Sequence, residues 1–235
     1  MQPQPIPREP IRDVGESGYQ PVSLHSFVYE KLRNGLIDGR FAPGETLSLR
    51  TLADALGTSP MPVRDAVRRL TTEGALEMRS NRSVAVPVMT RKQFENLTEL
   101  RLELEGEATE RSVRNGSQAL LPELIDIESR SQSARKGPNA EQFSARLSLN
   151  RKFHFTLYQH CGNSLRMRMI ELLWLQSASF THLSLSGFNP HLPGQHHRKI
   201  IEAVRTNDYS AARSALEDDI KETFNHLLTI FEFPA

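Results

Sequence analysis

Four polar residues break the apolar stripes in the C-terminal half of this 235-residue chain. Phe143, Leu147, Asn150, His154, Leu157 and Cys161 are separated by 4, 3, 4, 3 and 4 residues, so one helical seam carries Asn150 and His154 among apolar neighbours. Burying an amide or an imidazole without a partner costs roughly 1–3 kcal/mol. The i, i+4 spacing aims both side chains at one point, as a pair of metal ligands requires. Further on, His197 shares a helical face with Ile200, Ile201 and Val204, and Asp219 sits among Leu216, Ile220 and Thr223. One carboxylate, two imidazoles and an amide suit Zn²⁺, Ni²⁺ or Mn²⁺ with coordination positions left open. Hydrogen-bonded core histidines are the other account of the same pattern. His160, His182, His191, His196 and His226 fall in loops, at helix ends or off the seam and read as non-ligands, with His226 as a substitute for Asp219.

A second group lies near the N-terminus. Arg64 and Arg68 stand four residues apart, opposite the apolar Val63, Val67 and Leu70. Like charges at that spacing cost an isolated helix roughly 0.2–0.5 kcal/mol. Phosphates or guanine edges would offset the repulsion; a solvated helix face is the alternative. Arg69 has Asp65 and Glu73 four residues to either side, which reads as intrahelical ion pairing.

The surrounding pattern supplies elements to hold both groups. Residues 1–20 are Pro-rich and aperiodic and read as a flexible tail, without the apolar core of a signal peptide. Val22 to Ile37 has helical periodicity and stops at Asp38-Gly39. Ser48 caps a short helix that Gly57 ends. Ser59 caps a third, with Pro60 at its first position. Ala75–Met78 and Val84–Val88 flank the polar turn Arg79-Ser80-Asn81-Arg82-Ser83 and read as a hairpin. Helix, helix, helix and hairpin in this order make a winged helix-turn-helix over 21–89. From 90 to 235 the chain reads as an all-α bundle with helices near 91–115, 121–136, 140–161, 164–183, 194–206 and 210–232, broken at Gly116, Gly137-Pro138, Gly162-Asn163, Asn189-Pro190 and Asn207. The fold class is therefore mainly α.

Composition sets bounds. The 38% hydrophobic and 24% charged fractions are those of a globular protein. The single Cys161 rules out an internal disulfide, and the expected compartment is the cytoplasm, with no membrane span. The net charge of +1 conceals 9 basic against 7 acidic residues over 21–89 and 18 against 18 over 90–235. Contacts to a polyanion must then come from a few well-placed arginines.

Residues 24–88 resemble the DNA-binding domain of the GntR family of bacterial transcriptional regulators. The resemblance is carried by Ala42-Pro43-Gly44-Glu45, Leu52-Ala53, and Pro62-Val63-Arg64-Asp65-Ala66-Val67 leading to Gly74. It implies that Arg50 and Arg64 contact DNA and that Ser59 meets a phosphate; Arg68, by its spacing from Arg64, and Arg82 of the wing are counted with them as DNA-binding residues. Two positions depart from the family. Pro60 stands where an arginine is usual, and Ser83 where the wing tip has glycine, which puts the usual operator sequence in doubt. Residues 93–232 resemble the helical effector domain of the FadR-like subgroup through Arg101-Leu102-Glu103-Leu104-Glu105, Asn150-Arg151-Lys152-Phe153-His154, Cys161-Gly162-Asn163-Ser164-Leu165 and His197-Arg198-Lys199-Ile200. By that resemblance Asn150, His154, His197 and Asp219 hold a divalent metal. Asn150 then replaces the family's first Asp and Asp219 its last His, so the carboxylate has crossed the site. Arg101 is the implied partner for a small carboxylate effector, against an ion pair with Glu105 or Glu107.

The resulting expectation is a homodimeric, ligand-responsive regulator, a repressor, on a short inverted repeat of double-stranded DNA. The alternatives are a metal-dependent enzyme and a helical interaction module without DNA binding. No HExxH, phosphate loop or nucleophile constellation supports the enzyme.

Overall fold

The computed structural model of the protein describes residues 23–79, 83–134, 140–186 and 194–234. The expected tail, Arg82, the breaks at 137–138 and 189–190, and His191 lie outside them.

Three helices build the head: α1 (Leu24–Ile37), α2 (Leu49–Ala55) and α3 (Pro60–Thr72). Ser23 Oγ accepts from the Ser26 amide at 3.1 Å and starts α1, and Ser48 Oγ accepts from the Thr51 amide at 3.4 Å and starts α2. Ser59 occupies the N-cap of α3 but makes no side-chain cap bond, unlike the capping its sequence position suggests. Pro62, Val63, Ala66, Val67 and Leu70 form the buried stripe of α3. The stripe meets Val28, Leu32 and Leu36 of α1 in one core.

Polar contacts fix the α1–α3 angle. Tyr29 donates to both carboxylate oxygens of Glu73 at 2.8 Å, and the Arg69 guanidinium lies 3.6 Å over the Tyr29 ring. Arg69 does pair with Glu73, at 3.2 Å, whereas Asp65 is taken by His25 of α1 at 3.0 Å. Burial and the Glu73 carboxylate push the Tyr29 hydroxyl up to about 12.

The hairpin is narrower than its sequence suggests and gains a third strand. β1 (Thr46–Leu47), β2 (Glu77–Met78) and β3 (Val84–Ala85) form an antiparallel sheet in the order β1-β3-β2. Thr46 and Glu77 both face Ala85, and Leu47 and Met78 both face Val84. A turn with Gly44 at φ +79° delivers β1 to the sheet.

The remaining chain forms a bundle of α4 (Arg91–Ala134), α5 (Ala140–Tyr158), α6 (Ser164–Ser186), α7 (Gln195–Arg205) and α8 (Tyr209–Ile230). Gly116 leaves helical geometry and α4 kinks there, where the sequence places a break. Cys161 lies in the turn after α5 rather than on the helix. At the start of α4, Phe94 packs against Phe180, Phe224 and Phe233 with ring centroids 4.8, 5.4 and 5.4 Å away.

The head is fastened to the bundle by side chains far apart in sequence. Arg33 Nη2 of α1 reaches Glu171 of α6 at 2.8 Å. Arg151 Nη1 of α5 reaches Asn34 at 3.1 Å and Asp38 at 3.2 Å. Gln176 of α6 donates to the Glu73 carbonyl at 3.0 Å, in space that a Cβ on Gly74 would invade.

Candidate metal centre and nucleic-acid interface

Asp208 caps α8 by accepting from the Ala211 amide at 2.9 Å, and Gly194, at φ +90°, precedes the first turn of α7. With α5 packed beside them, these helices bring His154, His197 and Asp219 together. One ligand atom from each lies within 4.8 Å of the other two. His154 Nε2 stands 3.3 Å from Asp219 Oδ2. The two imidazoles meet edge to face with centroids 5.3 Å apart, and His197 stacks on Phe153 at 3.9 Å. Both histidines are buried, and Asp219 is a quarter exposed at 25%. Asn150 lies one turn before His154 on α5 and is half-buried.

Carboxylates from α4 stand behind the histidines. Glu128 Oε2 is 2.9 Å from His197 Nδ1. Tyr158, whose hydroxyl is 3.1 Å from His154 Nδ1, donates to Glu105 Oε2 at 2.6 Å. The same Glu105 oxygen accepts from Trp174 Nε1 at 3.0 Å, and the other accepts from Arg101 Nε at 2.7 Å. Of the two glutamates, Arg101 pairs with Glu105; Glu107 is engaged by Arg111, Arg166 and Arg213. Arg101 is also 5.1 Å from the Trp174 ring, and no partner for its terminal amino groups occurs among the described residues. Burial pushes His154 below the usual imidazole range and, with Glu105, pushes Tyr158 well above the phenol range. For Arg101 burial works against the charge, but Glu105 more than offsets it and the guanidinium is raised.

These groups fit a divalent ion. A neutral imidazole offers a lone pair, and two imidazoles with one carboxylate are a donor set for Zn²⁺, Ni²⁺ or Mn²⁺. His226 does not join the cluster; it lines an outer cleft of α7 and α8 with His196, which pairs with Glu222. Glu128, Tyr158 and Trp174 were not singled out from sequence. The available signal for Glu128 was a carboxylate one helical turn after Leu124 and adjacent to Ile127, on a face otherwise buried.

On the head, α3 exposes Arg64 and Arg68, α2 exposes Arg50, and none forms an ion pair among the described residues. Ser59 has its hydroxyl uncommitted to the helix it precedes. Met61, missed from sequence, is 62% exposed in the first turn of α3 beside these groups.

The model of the bacterial regulatory proteins, gntR family, matches residues 24–86, and that of the FCD domain matches residues 96–222, more than half of the chain. The chain belongs to the GntR family. Among its GntR relatives, the HTH-type transcriptional regulator McbR of Escherichia coli K12 is 28% identical over 206 residues, covering 86% of this chain and 91% of McbR. The gluconate operon transcriptional repressor of Bacillus subtilis is 26% identical over 215 residues, covering 85% of this chain and 84% of the repressor. The solved structure of E. coli McbR/YncC superposes with a TM-score of 0.80 at 27% identity over 90% of this chain and 100% of that one. A putative GntR regulator from Rhodococcus sp. RHA1, at 21% identity and a TM-score of 0.71, shares the fold. The architecture is thus a GntR winged helix-turn-helix followed by a helical FCD domain. The protein is a transcriptional regulator of that family and not an enzyme. Among the described residues no helix is long and apolar enough to cross a membrane.

Proposed function

We propose that this regulator is a homodimeric repressor whose bundle, residues 90–235, takes a divalent metal and a small carboxylate effector, and whose head, 21–89, then alters its hold on an inverted-repeat operator. The observation that carries this reading is the convergence of His154, His197 and Asp219 behind a charged wall. Asn150 completes the set as a weaker amide ligand, the negative charge being supplied by Asp219 instead. Bound there, the ion supplies open coordination positions that attract an anionic group. Arg101, whose terminal amino groups have no partner among the described residues, provides the second anchor for the carboxylate. It lines a cavity of about 10 Å³ with Thr98, Ser177 and Thr223. That is room for one water, so an effector must widen it on entry.

On the DNA side, Arg64 and Arg68 enter the major groove, Arg50 and Arg82 add backbone or groove contacts, and Ser59 meets a phosphate at the α3 N-terminus. With Pro60 at the usual arginine position, Met61 offers an apolar contact for a thymine methyl group in place of a guanine contact. Two heads related by a two-fold axis read two half-sites, and the operator places this work in the cytoplasm.

The test is a thermal-shift matrix of small carboxylates with and without Zn²⁺, Ni²⁺ or Mn²⁺, paired with salt-dependent binding to the promoter of its own operon. Stabilisation by a metal, increased by a carboxylate that also changes DNA affinity, is the expected result. A melting temperature indifferent to all three metals overturns the metal reading.

A further inference from the structure

We infer that Glu105, acting through Tyr158, and Glu128 are positioning residues that lock both site imidazoles as Nδ1–H tautomers, presenting two bare Nε2 atoms beside Asp219 before any ion arrives. The inference rests on the metal reading above for its purpose, but its geometry can be judged separately.

Proton bookkeeping along the hydrogen bonds leads to it. Glu105 accepts from three donors, Arg101 Nε, Trp174 Nε1 and the Tyr158 hydroxyl, and so acts as an acceptor only. Tyr158 has one proton, and the 2.6 Å contact commits it to Glu105. Its oxygen therefore has only lone pairs to offer His154 Nδ1 at 3.1 Å, and that nitrogen must be the donor. In a neutral imidazole the other nitrogen then carries the lone pair. It is Nε2, 3.3 Å from Asp219 Oδ2.

The second histidine follows the same rule without an intermediary. His197 Nδ1 faces Glu128 Oε2 at 2.9 Å, and Gln132 donates to the other Glu128 oxygen at 3.1 Å, which orients the carboxylate. The stacking of His197 on Phe153, with ring planes only 8° apart, fixes the remaining freedom of the ring. His154 Nε2 then faces the Asp219 carboxylate with no proton between them. That contact is repulsive until a cation sits among the three atoms. The positioning carboxylates both come from α4, while the ligands come from α5, α7 and α8, so α4 acts as a template against which the ligand helices are set. Outer carboxylates of this kind typically contribute 10–100-fold to metal affinity. If Glu105 served only as an ion-pair partner for Arg101, removing the Tyr158 hydroxyl would leave the metal indifferent.

Two measurements on the full chain decide the matter. The first is ¹⁵N NMR of the imidazoles in metal-free protein, with signals assigned by their loss in His154→Ala and His197→Ala. Both rings are expected as Nδ1–H with unprotonated Nε2, and Tyr158→Phe should turn His154 into a tautomer mixture. Protonated Nε2 on either ring of the unsubstituted protein overturns the inference. The second is Zn²⁺ affinity by competition with a chromophoric chelator. Tyr158→Phe and Glu128→Gln should each bind about 10–100-fold more weakly. Native affinity in both refutes the positioning role while leaving the metal reading standing. Absence of Zn²⁺ binding by the unsubstituted protein refutes the metal reading, and the NMR result still judges the tautomers.

Discussion

Removing Arg151 should loosen the head without touching the bundle core. Its Nη1 reaches Asn34 and Asp38 at 3.1 and 3.2 Å, with the Arg151 side chain 27% exposed and that of Asp38 13% exposed. Hydrogen bonds to charged groups contribute about 1.5–3 kcal/mol each when shielded, and exposed ion pairs about 0–1 kcal/mol. Partial shielding and the shared nitrogen put the pair of contacts near 1–2 kcal/mol. Arg40, 3.7 Å from Asp38, recovers a little of that. The Arg33–Glu171 bridge is shorter, at 2.8 Å, yet Glu171 is 41% exposed, so Glu171→Gln should cost less, about 0.5 kcal/mol. Native-state hydrogen exchange reads the difference. In Arg151→Ala the α1 amides should exchange about 5–30-fold faster, while buried α6 amides around Ile170 stay as they were. α1 protection within twofold of the unsubstituted protein, or a larger effect from Glu171→Gln, would refute the reasoning.

Other outcomes follow from the same contacts. Arg64→Ala should weaken operator binding by about 1–3 kcal/mol in fluorescence anisotropy at fixed salt, whereas Arg69→Ala, whose guanidinium covers Tyr29, should lower the melting temperature more than the affinity. Tyr29, raised to about 12 in the folded state from an ordinary 10, keeps its proton where the unfolded chain loses it. Its stabilisation is therefore complete below pH 10 and lost as pH rises towards 12, a loss of about 1–2 kcal/mol that Tyr29→Phe should abolish in melts across that window. A metal at a hundred times its dissociation constant should add about 2.7 kcal/mol of stability, reversed by chelator and absent in His197→Ala.

Much of this was legible in the sequence because it is local. The α3 stripe, the Pro60 start and the breaks at Gly116 and Gly162 are short-range signals, and each lies where its periodicity or backbone chemistry suggests. His154, His197 and Asp219 were legible as polar residues on apolar faces. Their convergence needed the packing of α5, α7 and α8. β1 was hidden because two residues cannot display an alternating pattern, and only Val84 and Ala85 reveal it by pairing. Glu128 and the Tyr158–Glu105 bond span 69 and 53 residues to their partners, distances at which spacing says nothing about contact.

The fastening of the head has an evolutionary corollary. Asn34 and Asp38 belong to the winged helix-turn-helix half, and Arg151, Glu171 and Gln176 to the FCD half. The two halves are therefore not freely interchangeable parts. A graft of this head onto a relative's sensor would transfer operator choice only if the recipient also offered a cation opposite Asp38 and an amide opposite the Glu73 carbonyl. Any substitution that changes Asp38 invites a compensating one at Arg151, so these positions should vary as a pair among natural recombinants.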